Sequence, residues 1–311
     1  MKSFLSKPYR WAALYSLVLA ASFSLVLLDT FVIPRAITPV AQPSAAVVTT
    51  TTAPLTTEAQ ASATQTPVVG ELSYQDENIS ITIEIEEKYG ATIYIADIQL
   101  SDASLLKTAL ADNMYGRNIK ETTSDMAGAN GAILAINGDY YGFRNSGYVL
   151  RNGVLYRSAA RADGDDEALV IDDAGNFSII HESQVKMSSL DTDGIWQILS
   201  FGPALVVDGQ IATDSLSQSS QARNNNPRTA IGQVSALHYI IIVCDGRSDD
   251  SAGLSLAELA QEFYQRGCVT AYNLDGGGSS TLYFNGEVIN QPSDGRTDGE
   301  REVSDIVYIG Y

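Results

Sequence analysis

The sequence predicts an α+β fold: a largely antiparallel or mixed β-sheet rich in hairpins, with at least one βαβ unit flanked by helices. Two observations lead there. Short strand-like runs recur on either side of Asn-Gly or Asp-Gly dipeptides, which accept the positive φ that tight hairpins require. One segment departs from this device, because the uncharged runs Tyr239 to Cys244 and Val269 to Leu274 enclose a stretch with helical periodicity.

At the N-terminus, Lys2, Lys7 and Arg10 precede an uncharged run from Trp11 to Leu28. Its 18 residues, at about 1.5 Å each, give roughly 27 Å of helix, close to the ~30 Å hydrocarbon core of a bilayer. Basic residues before the run and almost none after it place the bulk of the chain outside the cytoplasm. Small residues at Ala20, Ala21 and Ser22 would suit a cleaved signal, but the apolar run continues towards Ile33, which favours an anchor. Residues 1–33 are therefore read as a cytoplasmic stub and transmembrane signal anchor in the cell membrane. Residues 34–70, rich in Thr, Ala and Pro and without an aromatic side chain, are read as a disordered stalk, and 71–311 as the folded domain.

Within that domain Ile79, Ile81, Ile83 and Ile85 alternate with polar residues, the period of a half-buried strand, and Lys88-Tyr89-Gly90 turns the chain into Ala91 to Leu100. Leu105, Leu106, Ala109 and Leu110 predict a short helix over Ser104 to Asp112. Ala132 to Ile136 is a buried-strand run that ends on Asn137-Gly138-Asp139. Hairpins follow around Asn152-Gly153, Asp173 to Asn176, Asp208-Gly209 and Asn285-Gly286. The βαβ helix has a Ser255 to Glu258 capping box, an apolar face of Leu256, Leu259, Ala260 and Phe263, and Gly267 as its stop. A usual crossover makes its two strands parallel, so Asp245 and Asp275 emerge at one edge, where a ligand crevice would form. Cys244 and Cys268 would then sit at opposite edges, which argues against a disulfide.

The formal charge is -18, and residues 71–311 alone carry -20. Nucleic acid is thereby an unsuitable partner, and any substrate phosphate must be met by a local group of arginines. Arg228, Arg247 and Arg301 stand in turn-like strings suited to that task, since a guanidinium presents two parallel donors to phosphate oxygens. The string Asn273-Leu-Asp-Gly-Gly-Gly-Ser-Ser-Thr281 is the most specific in the chain: three glycines beside Asp275 remove every Cβ and let a ligand approach the backbone. No Gly-Lys-Ser or Gly-Lys-Thr follows, so a nucleotide P-loop is not indicated. With His181 and His238 the only histidines, neither a Ser-His triad nor a zinc site is supported. No cofactor is expected, although the Asp163 to Asp166 loop could hold a structural calcium ion instead of being a solvated turn.

Six strings, Ile136 to Gly142, Phe201 to Pro203, Asn226 to Gly232, Val243 to Arg247, Asn273 to Ser280 and Arg301 to Asp305, together resemble the phosphodiester glycosidase family over Ile79 to Tyr311. The resemblance implies hydrolysis of the glycosidic bond of a sugar-1-phosphodiester, with a carbohydrate or sugar-phosphate substrate in cell-envelope or extracellular polysaccharide. Carboxylates would stabilise or attack the oxocarbenium-like carbon, and cations would hold the leaving phosphate. The expected catalytic residues are Asp275, Asp245 and Asp139 with Arg228 and Arg247. Asn137, Asn273, Thr229, Gly276, Gly277, Gly278, Ser279 and Arg301 are expected to bind substrate, and no metal ligand is assigned. Asp139 stands where many relatives carry another residue, which makes Asp275 the stronger candidate. Two other classes compete: a non-catalytic polysaccharide-binding surface protein, and a metal-dependent phosphodiesterase that cuts P-O instead of C-O.

Overall fold

The structure, a computed structural model, describes residues 8–38, 67–161, 164, 166–218 and 222–311. The helix Pro8–Phe31 is the one helix among the described residues long and apolar enough to cross a membrane, with a mean hydropathy of 2.0 over Tyr9–Thr30. Of the stretch expected as a stalk, 39–66 lies outside the described residues. Its flanks are ordered, because Arg35–Ala36 pairs with Gly116–Arg117 and Val68–Val69 pairs with Ser73–Gln75.

All strand pairs among the described residues are antiparallel, in keeping with the turn-separated runs of the sequence. The widest sheet has nine strands, running from the edge strand Gln210–Ile211 through Ala204–Val207, Thr270–Asn273, Arg228–Ser235, His238–Cys244, Ala91–Leu100 and Ile79–Lys88 to Ser73–Gln75 and Val68–Val69. Ile79, Ile81 and Ile83 bury their side chains as their alternation predicts, and Ile79 faces Leu100 while Lys88 faces Ala91 across the Tyr89-Gly90 turn. Two five-stranded sheets and the two-stranded pairing of Arg35–Ala36 with Gly116–Arg117 complete the sheets among the described residues. One five-stranded sheet is ordered Glu287–Val288, Leu282–Phe284, Leu134–Asn137, Asp305–Ile309, Leu106–Leu110; the other Val154–Arg157, Val149–Arg151, Ile195–Leu199, Glu167–Asp172, Phe177–His181. The main core, with Ile81, Ile98, Ile136, Leu169, Ile241 and Val307, joins the three larger sheets.

The βαβ unit is present with one strand interposed. His238–Cys244 and Thr270–Asn273 each pair antiparallel with Arg228–Ser235, so they are parallel to one another without touching. The connecting helix Leu256–Gln265 has the full Ser255/Glu258 capping box and lays Leu256, Leu259, Ala260 and Phe263 on the outer face of the nine-stranded sheet. Both cysteines are free and buried.

The helix expected over Ser104 to Asp112 is instead the strand Leu106–Leu110 between two short 3-10 turns. Its residues favour a helix in isolation, but five of them find a complete ladder on the C-terminal strand Asp305–Ile309. Pairing and burial supplied by a sequence-distant strand outweigh an intrinsic preference of a few tenths of a kcal/mol per residue.

Candidate active site

Three strand ends converge on one point. Asp139 lies just after Leu134–Asn137, Asp275 just after Thr270–Asn273, and Asp305 opens the strand Asp305–Ile309. Backbone bonds clamp these ends: Gly138 N donates to Asp305 O at 2.8 Å and Asp275 N to Gly138 O at 3.3 Å. Beside them is a cleft of about 240 Å³ lined by Asp139, Asp275, Ser279, Tyr140 and Phe143, with the exposed Arg301 and Lys120 at its rim. Lys120 pairs with Glu302 at 2.5 Å.

Asp275 is half-buried, and its Oδ1 accepts the Gly276 amide at 3.0 Å. Burial pushes its carboxyl above the usual carboxylate range, against the opposing pull of Ser279, Arg301, the Gly276 amide and Arg144. Arg144 reaches this neighbourhood across two rings, 5.0 Å from the Phe201 centroid and 5.5 Å from that of Tyr140.

The triple glycine makes room for arginine. A Cβ on Gly277 would lie 2.9 Å from Arg247 Nη2, and one on Gly278 would lie 2.8 Å from Arg301 Nη2. Gly277 also has φ +64, so a side chain there would be strained by backbone as well as by contact. The third arginine, Arg228, approaches Gly276 only with its stem, 3.9 Å from Cδ to the corresponding Cβ position. Its buried guanidinium donates to Leu254 O at 3.0 Å and Asn224 O at 2.9 Å, away from the cleft lining.

Asp245 departs from expectation. The interposed strand Arg228–Ser235 separates it from Asp275 by two sheet spacings, roughly 10 Å. Its carboxylate accepts Asn290 Nδ2 at 3.0 Å and Gln291 N at 2.9 Å, and it does not line the cleft. Burial raises its pKa, against those donors.

Three residues expected to bind substrate are turned inward. Asn137 donates to Asp275 O at 2.6 Å and accepts Thr229 Oγ1 at 2.8 Å, so these two side chains brace the aspartate backbone. Asn273 donates to Gly202 O at 2.7 Å, next to the cis Gly202-Pro203 bond. Of the four amides expected to meet phosphate, three are committed: Gly276 N to Asp275 Oδ1, Gly277 N to Pro227 O and Ser279 N to Gly276 O.

A second carboxylate pair was not foreseen. Arg151 Nη2 lies 2.8 Å from both Asp139 Oδ2 and Asp305 Oδ2, with all three side chains at most 2% exposed. Asp139 also accepts Tyr141 N at 2.9 Å and Ser200 N at 2.8 Å, so both of its oxygens are fixed. Two acids share one guanidinium, leaving one negative charge in excess. Burial, with repulsion from Asp139 and Asp275 against the pull of Arg151, pushes the Asp305 carboxyl up to about 7. Lys120, Arg144, Arg151 and Asp305 were all missed. Only Asp305 left a signal in sequence, as the last residue of the Arg301 to Asp305 string.

The loop considered for calcium is occupied otherwise where it is described. Asp166 accepts Ser183 N at 3.0 Å and lies 3.1 Å from His181 Nδ1, while Asp163 and Asp165 lie outside the described residues. No cluster of three His, Cys, Asp or Glu side chains is placed to hold a metal among the described residues.

The chain is similar to known proteins. The SPbeta prophage-derived protein YomE of Bacillus subtilis (strain 168) is 34% identical over 203 residues, which is 63% of this chain and 31% of YomE. The N-acetylglucosamine-1-phosphodiester alpha-N-acetylglucosaminidase of Bos taurus is 25% identical over 210 residues, 61% of this chain and 39% of that protein. The chain thus spans between about a third and two fifths of these relatives. In fold it resembles the catalytic domain of the zebrafish enzyme of the same name, auto-inhibited by its pro-peptide, with a TM-score of 0.60 at 20% identity over 75% of this chain and 83% of that one. A hypothetical protein from Synechocystis follows at a TM-score of 0.51 and 15% identity, covering 75% of this chain and 62% of its own. The phosphodiester glycosidase family model matches residues 130–310, a span that holds Asp139, Arg151, Asp275, Arg301 and Asp305 together, and the chain belongs to that family.

Proposed function

We propose that the protein is a hydrolase that cuts the glycosidic C-O bond of a sugar-1-phosphodiester in the cell envelope or in extracellular polysaccharide. One observation carries this reading: the Asp275 carboxylate opens into a cleft whose rim holds Arg301 and Lys120. Breaking the bond builds positive charge at the anomeric carbon and negative charge on the departing phosphate, and an acid with cations nearby stabilises both. Asp275 takes the anomeric side. Asp139, with both oxygens held by Arg151 and backbone amides, forms a fixed polar wall beside it. Arg301 takes the phosphate with Lys120, and Arg247 supports the glycine loop from its other side. Phosphate is a good leaving group, which reduces the demand for a general acid. Tyr140 and Phe143 offer apolar faces for a sugar ring.

The test is to incubate the full-length chain, in detergent, with a panel of sugar-1-phosphodiesters in water enriched in heavy oxygen. Free sugar carrying the label is expected, with chelator leaving the rate unchanged. Labelled phosphate with an intact sugar-phosphate bond would mean P-O cleavage and end the proposal.

A further inference from the structure

We infer that the cleft is held at the membrane surface and acts on sugar-1-phosphodiesters whose aglycone is anchored in that same membrane. This rests on the glycosidase reading and on retention of the N-terminal helix, and it adds where the substrate resides. The carrying observation is a fitted seat for the chain as it leaves the helix. Pro8–Phe31 ends four residues before Arg35, and four residues reach at most about 14 Å. Arg35–Ala36 there pairs with Gly116–Arg117, and Ile37 N donates to Tyr115 O at 2.8 Å.

The domain is shaped for this pairing. A Cβ on Gly116 would lie 2.1 Å from the Arg35 carbonyl oxygen, so the pairing needs a residue without a side chain at that position. Asn118, buried and at φ +57, donates its amide to Thr30 O and Ile33 O, each at 3.2 Å. Thr30 lies in the last turn of the helix, where its carbonyl has no intrahelical partner, and Ile33 lies just beyond it.

The seat adjoins the cleft wall. Asn118 N donates to Gly142 O at 3.3 Å, and a Cβ on Gly142 would touch both Ser304 Oγ, at 2.1 Å, and Gly116 O, at 3.6 Å. Ser304 and Lys120 line the cleft. Arg35 stands opposite Arg117 in register, Arg35 pairs with Asp29 and Lys120 with Glu302, so cations stand both at the helix exit and at the cleft on a chain whose net charge is -18. Such cations suit a substrate phosphate at headgroup level. The Thr/Ala/Pro-rich stretch follows the seat and is pinned again at Val68, so it does not set the distance between helix and domain.

The experiment uses the full chain reconstituted in phosphatidylcholine vesicles with two substrates that share one sugar-1-phosphate. One carries a long-chain lipid aglycone in the same vesicles, and the other a methyl aglycone in solution. Inserting about thirty Gly/Ser residues between Ile33 and Pro34 adds a tether of roughly 30 Å and leaves the domain intact. The ratio of lipid-substrate to methyl-substrate turnover should then fall at least about fivefold, through lost effective concentration, with methyl turnover unchanged. Gly116→Val should lower the same ratio by displacing Arg35, and unchanged methyl turnover will report that it folds. A ratio unmoved by both changes overturns the inference, as does wild-type cleavage of the methyl substrate alone, which would leave the glycosidase reading standing. Cleavage of neither substrate overturns both.

Discussion

Replacing Asp275 by Asn separates catalysis from stability more cleanly than any other change at this site. The carboxylate is half-buried at the cleft and is held by the Gly276 amide, which an asparagine oxygen can equally accept. Its charge is what the reaction uses. A unit charge about 4 Å from a carboxylate gains about 4 kcal/mol at an effective dielectric of about 20. The anomeric carbon develops only part of a charge, so about 3 to 4 kcal/mol is at stake, or a loss of roughly 10² to 10³ in kcat/KM. Stability should move the other way. Burial already disfavours the charged form of Asp275, so a neutral isostere removes a desolvation penalty, and the urea midpoint should stay or rise. The assay is kcat/KM for free-sugar release alongside urea denaturation of the same preparation. Activity within about threefold of wild type, or activity and stability lost together, would refute the assignment.

Gly278→Ala should push Arg301 off the loop, since the new Cβ would fall 2.8 Å from its Nη2. The same Cβ would lie 2.8 Å from Asp294 Cβ, so KM should rise about tenfold and the effect should shrink, without vanishing, in an Arg301→Ala background, which a double-mutant cycle measures. Asp305 gives a pH signature: its carboxyl is raised by burial from 3.8 to about 7, so between about pH 4 and 7 the folded state holds a proton that the unfolded state has lost, and stability falls as pH rises. Asp305→Asn should remove that slope, up to about 1.4 kcal/mol per pH unit, and identical pH profiles of urea denaturation would count against the coupled pair.

The hairpins were legible because their turns are written locally, in dipeptides such as Asn152-Gly153 that take up φ of 48° and 76°. The capped helix was legible for the same reason. Position across the sheet was not. The crossover from Cys244 to Thr270 makes its strands parallel, but the pattern does not count the strands between them, and one interposed strand holds Asp245 away from Asp275. Asn137 and Thr229 lie beside Asp275 but bond its backbone carbonyl and each other, which motif spacing does not reveal, because a polar side chain in a motif can bond a substrate or a backbone carbonyl. Arg151 was invisible, sitting in an ordinary hairpin strand 154 residues from Asp305.

The widest sheet ends in strands only two residues long, Gln210–Ile211 on one margin and Val68–Val69 on the other. So short a ladder gives an incoming chain little to zip onto, and a net charge of -18 repels copies that approach. Margins this short let an extensive β architecture exist without offering a long template for fibrils.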